Sequence, residues 1–255
     1  MLSQSSGARR SPRNVGTTWM GKANRSLRNR GITGTVRAVV AIVKSILRIR
    51  LLWPYLHCLN KIFDWRFSVD TSGNFSLLEL ETDPRFKDSS RYDPTVGCRF
   101  FRMLRQLDVD YSKFVFVDFG CGKGKALLLA AALPFKRIIG VELSSKLIGA
   151  AQDNIRAYRG KRRCDTINLV CMDASEYPIP HDDAIFYFFN PFNENVMRKV
   201  LGNIRCSLGE VPKDAYIVYL EPDCKSLLEE SGFLVPVKQE SWYSIYKASG
   251  TLSAG

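Results

Sequence analysis

Between Asp118 and Gly124 the chain reads DFGCGKG, an acid followed by three glycines in five residues. A turn from strand to helix needs one or two glycines, so the surplus points to backbone pressed against a ligand. Further acceptors stand downstream: Glu142, eighteen residues past Gly124, then Asp173 within MDA, Asn190 within NPF, and Glu221. Carboxylates and a carboxamide suit a ligand rich in hydroxyl and amino donors. Two nucleotide fingerprints fail on spacing. GxGxxG has Lys125 where its third glycine belongs, and GxxxxGK[ST] is broken by Ala126 after Lys125.

These residues need elements to hold them. From about residue 92 apolar runs alternate between strand and helix periods. The spacing predicts strands near 114–118, 138–142, 167–172, 185–189 and 215–220, with helices at 94–107, 123–133, 145–158 and 193–208. In the first helix Phe100, Leu104 and Leu107 share a face, and in the last Val196, Val200, Ile204 and Leu208 do. After Gly232, FLVPV and WYSIYK read as two closing antiparallel strands. The pattern is that of an α/β fold, a mostly parallel sheet flanked by helices. Ligands of such sheets bind beyond the carboxyl ends of the strands, which is where Asp118, Glu142, Asp173, Asn190 and Glu221 fall. His181, Asp182 and Asp183 precede strand four, at the opposite edge, and read as a solvated loop. Lys123 and Lys125 read as surface groups at a helix start.

With those motifs in place, residues 92–247 resemble the class I S-adenosylmethionine-dependent methyltransferases, the seven-stranded Rossmann-like family. DFGCGKG is similar to that family's first motif, GVEL (140–143) to its second and MDA (172–174) to its third, and NPF (190–192) stands where its strand-four motif does. The resemblance implies S-adenosylmethionine as cofactor. It implies that the turn through Gly120, Cys121, Gly122 and Gly124 approaches the methionine and ribose parts, with Asp118 at the amino-acid end. Glu142 would accept from the ribose hydroxyls and Asp173 from the adenine N6 amine. On the acceptor side it points to Asn190, Phe192 and Tyr92. Families that methylate planar amino nitrogens often carry [DN]PP[YFW], and Asn190-Pro191-Phe192-Asn193 is one proline short of it. Tyr92-Asp93-Pro94-Thr95, ahead of the glycine turn, is similar to the stretch preceding the first motif in some seven-stranded lysine methyltransferases. The expected reaction is N-methylation of an amine or amide, a protein lysine being favoured. The alternatives are a catalytically silent adaptor that binds the cofactor or nucleic acid, and an NAD(P)-dependent oxidoreductase, against which the absent third glycine speaks.

The net charge of +12 is confined to one end. Residues 1–63 hold twelve Lys or Arg and no Asp or Glu, leaving 25 basic and 25 acidic side chains in the rest. Residues 1–30 have no hydrophobic period and are expected to form a disordered basic tail. Residues 31–91 are expected to hold a basic amphipathic helix near 33–52 and a lead-in, 92–247 the catalytic domain, and 248–255 a flexible tail. The helix either packs on the domain, the preferred reading, or lies on an anionic membrane. Its charges argue against a transmembrane span. Candidate partners of the basic region are thus an anionic membrane surface or nucleic acid, besides the methyl acceptor. The expected location is cytoplasmic, with peripheral membrane attachment or a mitochondrial transit peptide as alternatives. Seven cysteines without a CxxC pair suggest a reducing compartment, and two histidines outside any cluster give no metal site.

Overall fold

A computed structural model describes residues 53–72 and 93–248. The expected basic tail 1–30, the helix near 33–52, Tyr92 and residues 249–255 lie outside the described residues. The chain divides into a unit Met1–Tyr55, of which only the opening turn of a helix is described, and a unit Leu56–Gly255.

The second unit is built on seven strands, β1 Val115–Phe119, β2 Arg137–Glu142, β3 Ile167–Cys171, β4 Ala184–Phe189, β5 Ala215–Leu220, β6 Leu234–Glu240 and β7 Tyr243–Ala248. Their order is β3-β2-β1-β4-β5-β7-β6, with β1 to β5 parallel and β7 antiparallel to both neighbours. Among the described residues the helices are α1 Trp53–Phe67, α2 Gly97–Leu104, α3 Lys125–Ala130, α4 Ser145–Ala157, α5 Glu194–Glu210 and α6 Lys225–Glu230. This is the expected seven-stranded Rossmann-like α/β architecture.

Strand alternation sends side chains into two cores. Val115, Val117 and Phe119 join Phe186, Phe188 and α5's Met197 and Ile204 on one face. Phe116, Tyr187 and Val218 join Phe100, Met103 and Leu127 of α2 and α3 on the other. Apolar runs this continuous belong to strands covered on both sides, so the parallel order was legible.

Some boundaries moved, for local reasons. The helix expected from 123 starts at Lys125, because Gly120, Gly122 and Gly124 have φ of 77°, 52° and 81° and cannot be helical. Helix α2 is shorter than the expected 94–107, running out after Leu104 into turns closed by Gln106 and Leu107 N–H groups. The loop at 181–183 is only partly solvated. His181 is exposed, but Asp182 accepts from Lys136 at 2.6 Å and from Arg137, and these bonds hold its carboxyl below the usual range.

The larger correction concerns Lys123 and Lys125. Both are buried, at 4% and 2% exposure, because α1 and the turn after it cover them. Lys125 Nζ donates to Asn60 Oδ1 at 2.6 Å and stands 4.5 Å from the Phe63 ring centroid. Lys123 Nζ donates to Asp70 Oδ2 at 3.2 Å. Buried Asn154 of α4 accepts from Asp70 N at 2.7 Å and donates to the carbonyls of Asp70 and Lys123 at 3.1 and 3.0 Å. The lead-in from Leu56 is thus stitched to the helix that opens behind the glycine turn.

Burial pushes the Lys125 amine down to about 8, against the pull of Asp64. In the unfolded chain the amine keeps its ordinary pKa of 10.5, so between about 8 and 10.5 the unfolded state binds the extra proton. Stability from this group therefore rises with pH across that window and is lost as pH falls through about 8. Against a Lys125→Met variant, the wild type should gain about 2–3 kcal/mol between the two ends of the window. Denaturant unfolding of both proteins at each end checks it; a constant difference would show that Lys125 stays charged.

Candidate functional site

The glycine turn leaves β1 and is tied at once to β2. Gly120 N and Cys121 N donate to Val141 O at 2.8 and 3.1 Å, and Gly122 N donates to Glu142 Oε2 at 3.0 Å. The other Glu142 oxygen accepts from Ser144 N at 2.9 Å. Ser144 caps α4, its Oγ accepting from Leu147 N. Glu142 therefore orders the turn and the start of α4 while each oxygen keeps a second lone pair for a ligand. A Cβ on Gly120 would lie 2.5 Å from Pro191 Cβ, so the turn after β1 touches the loop after β4. Glycine here serves both the positive φ and the close approach to NPF.

Asp118 is 3% exposed, and no donor among the described residues bonds to it. Burial raises its pKa well above the usual carboxylate range, and Glu142 raises it further. Glu142 is itself pushed up by burial, against the Ser144, Gly122 and Leu143 N–H groups. A buried acid beside a half-buried one, with no cation between them, is costly to ionise. Lys123 and Lys125 do not supply that cation, being engaged by Asp70 and Asn60. A ligand bearing positive charge beside hydroxyl donors would satisfy both carboxylates. S-Adenosylmethionine, with its sulfonium, ammonium and ribose, fits that donor set.

Cys121 lies in the turn, but its side chain faces the core. A Cβ on Gly140 would meet its Sγ at 2.8 Å. Burial, then Asp118 and Glu142, raise its thiol pKa well above the usual value, so it is no thiolate nucleophile. Its offer to a ligand is backbone only. Asp173 stands just past β3, where one carboxylate oxygen accepts from Ser175 N at 2.8 Å and the other remains for a donor.

Past β4, Asn190 sits in the left-handed region at φ 42°. Its Nδ2 donates to Asp223 Oδ2 at 2.5 Å, and its Oδ1 accepts from the Tyr219 hydroxyl at 3.1 Å. Tyr219 is fully buried, and its oxygen accepts in turn from Cys224 N at 3.3 Å. The Asp223 carboxylate can only accept, so the Asn190 NH2 faces it and the carbonyl oxygen takes the Tyr219 hydroxyl proton. Phe192 is in the core, 7% exposed and edge-on to Phe188 with ring centroids 6.1 Å apart, rather than standing open at the mouth.

Three features escaped sequence reasoning. Tyr219 looked like any core residue of a strand, and Asp223 like a loop acid. Glu221, at φ 49°, pairs with Arg99 at 3.0 Å, while the Arg99 and Arg102 guanidinium groups stand 5.3 and 5.7 Å from the Trp242 ring centroid. Only the position of Glu221 at a strand end signalled any of this. Among the described residues no group of three His, Cys, Asp or Glu side chains is placed to hold a metal ion.

Residues 116–210, from β1 through the end of α5, match the family model described as a methyltransferase domain. No curated protein sequence matches the chain. Among solved structures, a candidate RNA methyltransferase from Pyrococcus horikoshii is 19% identical, over 70% of this chain and 96% of its own, at a TM-score of 0.45. An RNA methyltransferase from Salinibacter ruber, solved with S-adenosyl-L-homocysteine, is 19% identical over 64% and 97%, at 0.43. Precorrin-6y C5,15-methyltransferase from Geobacter metallireducens is 16% identical over 65% and 95%, at 0.44. The family match runs from β1, which carries the acid and leads into the glycine turn, on a sheet of the order found above: residues 116–210 carry a methyltransferase domain, and S-adenosylmethionine is its cofactor.

Proposed function

We propose that the chain methylates an amine nitrogen, with the side chain of a protein lysine as the favoured acceptor. The observation that carries this reading is the Asn190 carboxamide, held between Asp223 and the Tyr219 hydroxyl beside the glycine turn. A protonated amine is drawn to Asp223, which is exposed, and must lose its proton before it can attack. The Asn190 carbonyl oxygen, fixed by Tyr219, has a lone pair left to accept an N–H and aim the nitrogen. Alignment of this kind is the main contribution such a site can make.

In this reading Asp118 holds the amino-acid end of the cofactor, and the backbone of Gly120, Cys121, Gly122 and Gly124 follows its methionine and ribose. Glu142 accepts from the ribose hydroxyls, and Asp173 from the adenine amine. When bound, the cofactor supplies a methyl group on a positively charged sulfur, an electrophile that needs no further activation. Tyr92 stays a candidate for the acceptor side through its place beside Asp93-Pro94-Thr95. Thr95 is anchored to the buried sheet residue Tyr187 by a shared hydroxyl bond of 3.1 Å.

The test is to incubate purified protein, labelled S-adenosylmethionine and a cell extract, then digest the products separately with protease and nuclease. Label is expected in protein and, after hydrolysis, in methylated lysine. Label in RNA, lipid or small molecules instead would remove the lysine assignment.

A further inference from the structure

Helix α1 has two unlike faces. Its inner face carries Asn60, Phe63, Asp64 and Phe67, and it is held firmly. Asn60 donates to Pro94 O at 3.2 Å and accepts from Lys125, and Asp64 accepts from Thr71 and Ser72. Phe63 and Phe67 pack on Tyr158, with ring centroids 6.3 and 5.2 Å away, and Arg159 N donates to Phe67 O at 3.2 Å. The opposite face should then be polar. It carries Cys58, Ile62 and Trp65, which fall within one narrow sector of a helix of 3.6 residues per turn. Ile62 is 53% exposed and Trp65 82%. Lys61 and Arg66, both exposed, flank the sector on its two sides.

A Trp and an Ile turned to water between two cations have no structural use in a helix whose other face already anchors it. Scattered exposed apolar residues need no explanation, but here the arrangement is that of a helix lying in a lipid headgroup layer. The aromatic ring sits at the interface, the aliphatic side chain goes below it, and basic groups meet the phosphates. Charge complementarity points the same way. The chain enters α1 from residues 1–52, and residues 1–63 contain twelve Lys or Arg and no acid. Each basic group near an anionic surface adds attraction that decays within a Debye length. Nucleic acid would also meet the charge, but it gives Ile62 nothing to bury against. Among the described residues no helix is long and apolar enough to cross a membrane, so attachment through α1 would be peripheral.

We infer that the outward face of α1, Cys58, Ile62 and Trp65 with Lys61 and Arg66, docks the methyltransferase domain on an anionic membrane surface. The inner face, fixed through Asn60 and Asp64, makes this a rigid platform, so docking sets the orientation of the domain. The inference is independent of which acceptor is methylated.

The test is flotation of the full chain with vesicles of phosphatidylcholine alone or mixed with phosphatidylserine. The wild type should float with the mixed vesicles and stay behind with phosphatidylcholine alone, and added salt should weaken the binding. The variant Ile62→Ser/Trp65→Ser should lower the bound fraction at limiting lipid by about tenfold, since two apolar side chains no longer enter the interface. Its affinity for S-adenosylmethionine should stay unchanged, which controls for folding. A second variant, Lys61→Glu/Arg66→Glu, should also bind less and should show a flatter salt dependence. Flotation of Ile62→Ser/Trp65→Ser equal to wild type would assign all binding to the basic leader and overturn the docking face. So would a wild type that ignores the mixed vesicles, or one that binds single-stranded RNA through Trp65 and no vesicle.

Discussion

Glu142→Ala should weaken S-adenosylmethionine binding by about ten- to hundredfold, measured by calorimetry on a folded variant. Loss of charge-assisted hydrogen bonds to the ribose accounts for about 1.5–3 kcal/mol. The structure places the effect at the upper end of that range. Glu142 Oε2 also holds Gly122 N and Oε1 holds Ser144 N, so the variant releases the glycine turn and the entry to α4 together. Asp118 works in the opposite direction. Glu142 is one of the two causes that raise the Asp118 pKa, and its removal lets Asp118 ionise more readily and recover part of the attraction for a cation. Glu142→Gln separates the contributions. It keeps the size of the side chain, but its NH2 must face one of the two N–H groups that the carboxylate accepts, so affinity should fall between wild type and alanine. Unchanged affinity in folded Glu142→Ala would remove the ribose assignment.

Turnover should fall by about 10²-fold in Asn190→Gly, with S-adenosylmethionine affinity kept within a few fold. Glycine is the better probe here, because Asn190 has φ 42°. Alanine in that region adds about 1–2 kcal/mol of backbone strain, and a loss of activity could then be a loss of fold. Glycine removes the carboxamide and leaves the turn relaxed. Melting temperature and S-adenosylhomocysteine production, read on the same variant, distinguish the two roles. A stable, inactive enzyme that still binds cofactor places the carboxamide on the acceptor. A stable and active enzyme shows that Asn190 only shaped the turn before Pro191. Tyr219→Phe should move activity in the same direction by a smaller factor, since the carboxamide then loses the donor at 3.1 Å that orients it while keeping Asp223.

What the sequence by itself determined follows from short-range physics. Three positive φ angles in five residues demand glycine, so the turn after β1 was legible as an unusual backbone. Five apolar runs, each closed by a polar residue, revealed a parallel sheet and the edge where a ligand binds, because strand period and sheet burial are written in neighbouring residues. The pairing of Glu142 with the glycine turn follows from that order, since β1 and β2 are adjacent.

Only the tertiary structure decided what depends on residues brought from far along the chain. Lys125 reads as a helix-start surface group until Asn60, 65 residues earlier, covers it, and Lys123 until Asp70 does, 53 residues earlier. Tyr219 reads as core until its hydroxyl meets Asn190, 29 residues before it. Phe192 reads as an acceptor-side residue, and nothing in its neighbours signals that its ring packs edge-on against Phe188. The outward turn of Trp65 is of the same kind. An 82%-exposed indole cannot be told from a buried one by its spacing, because the inner face of α1 is chosen by the partners of Asn60, Asp64 and Phe67, and those partners are set by the fold.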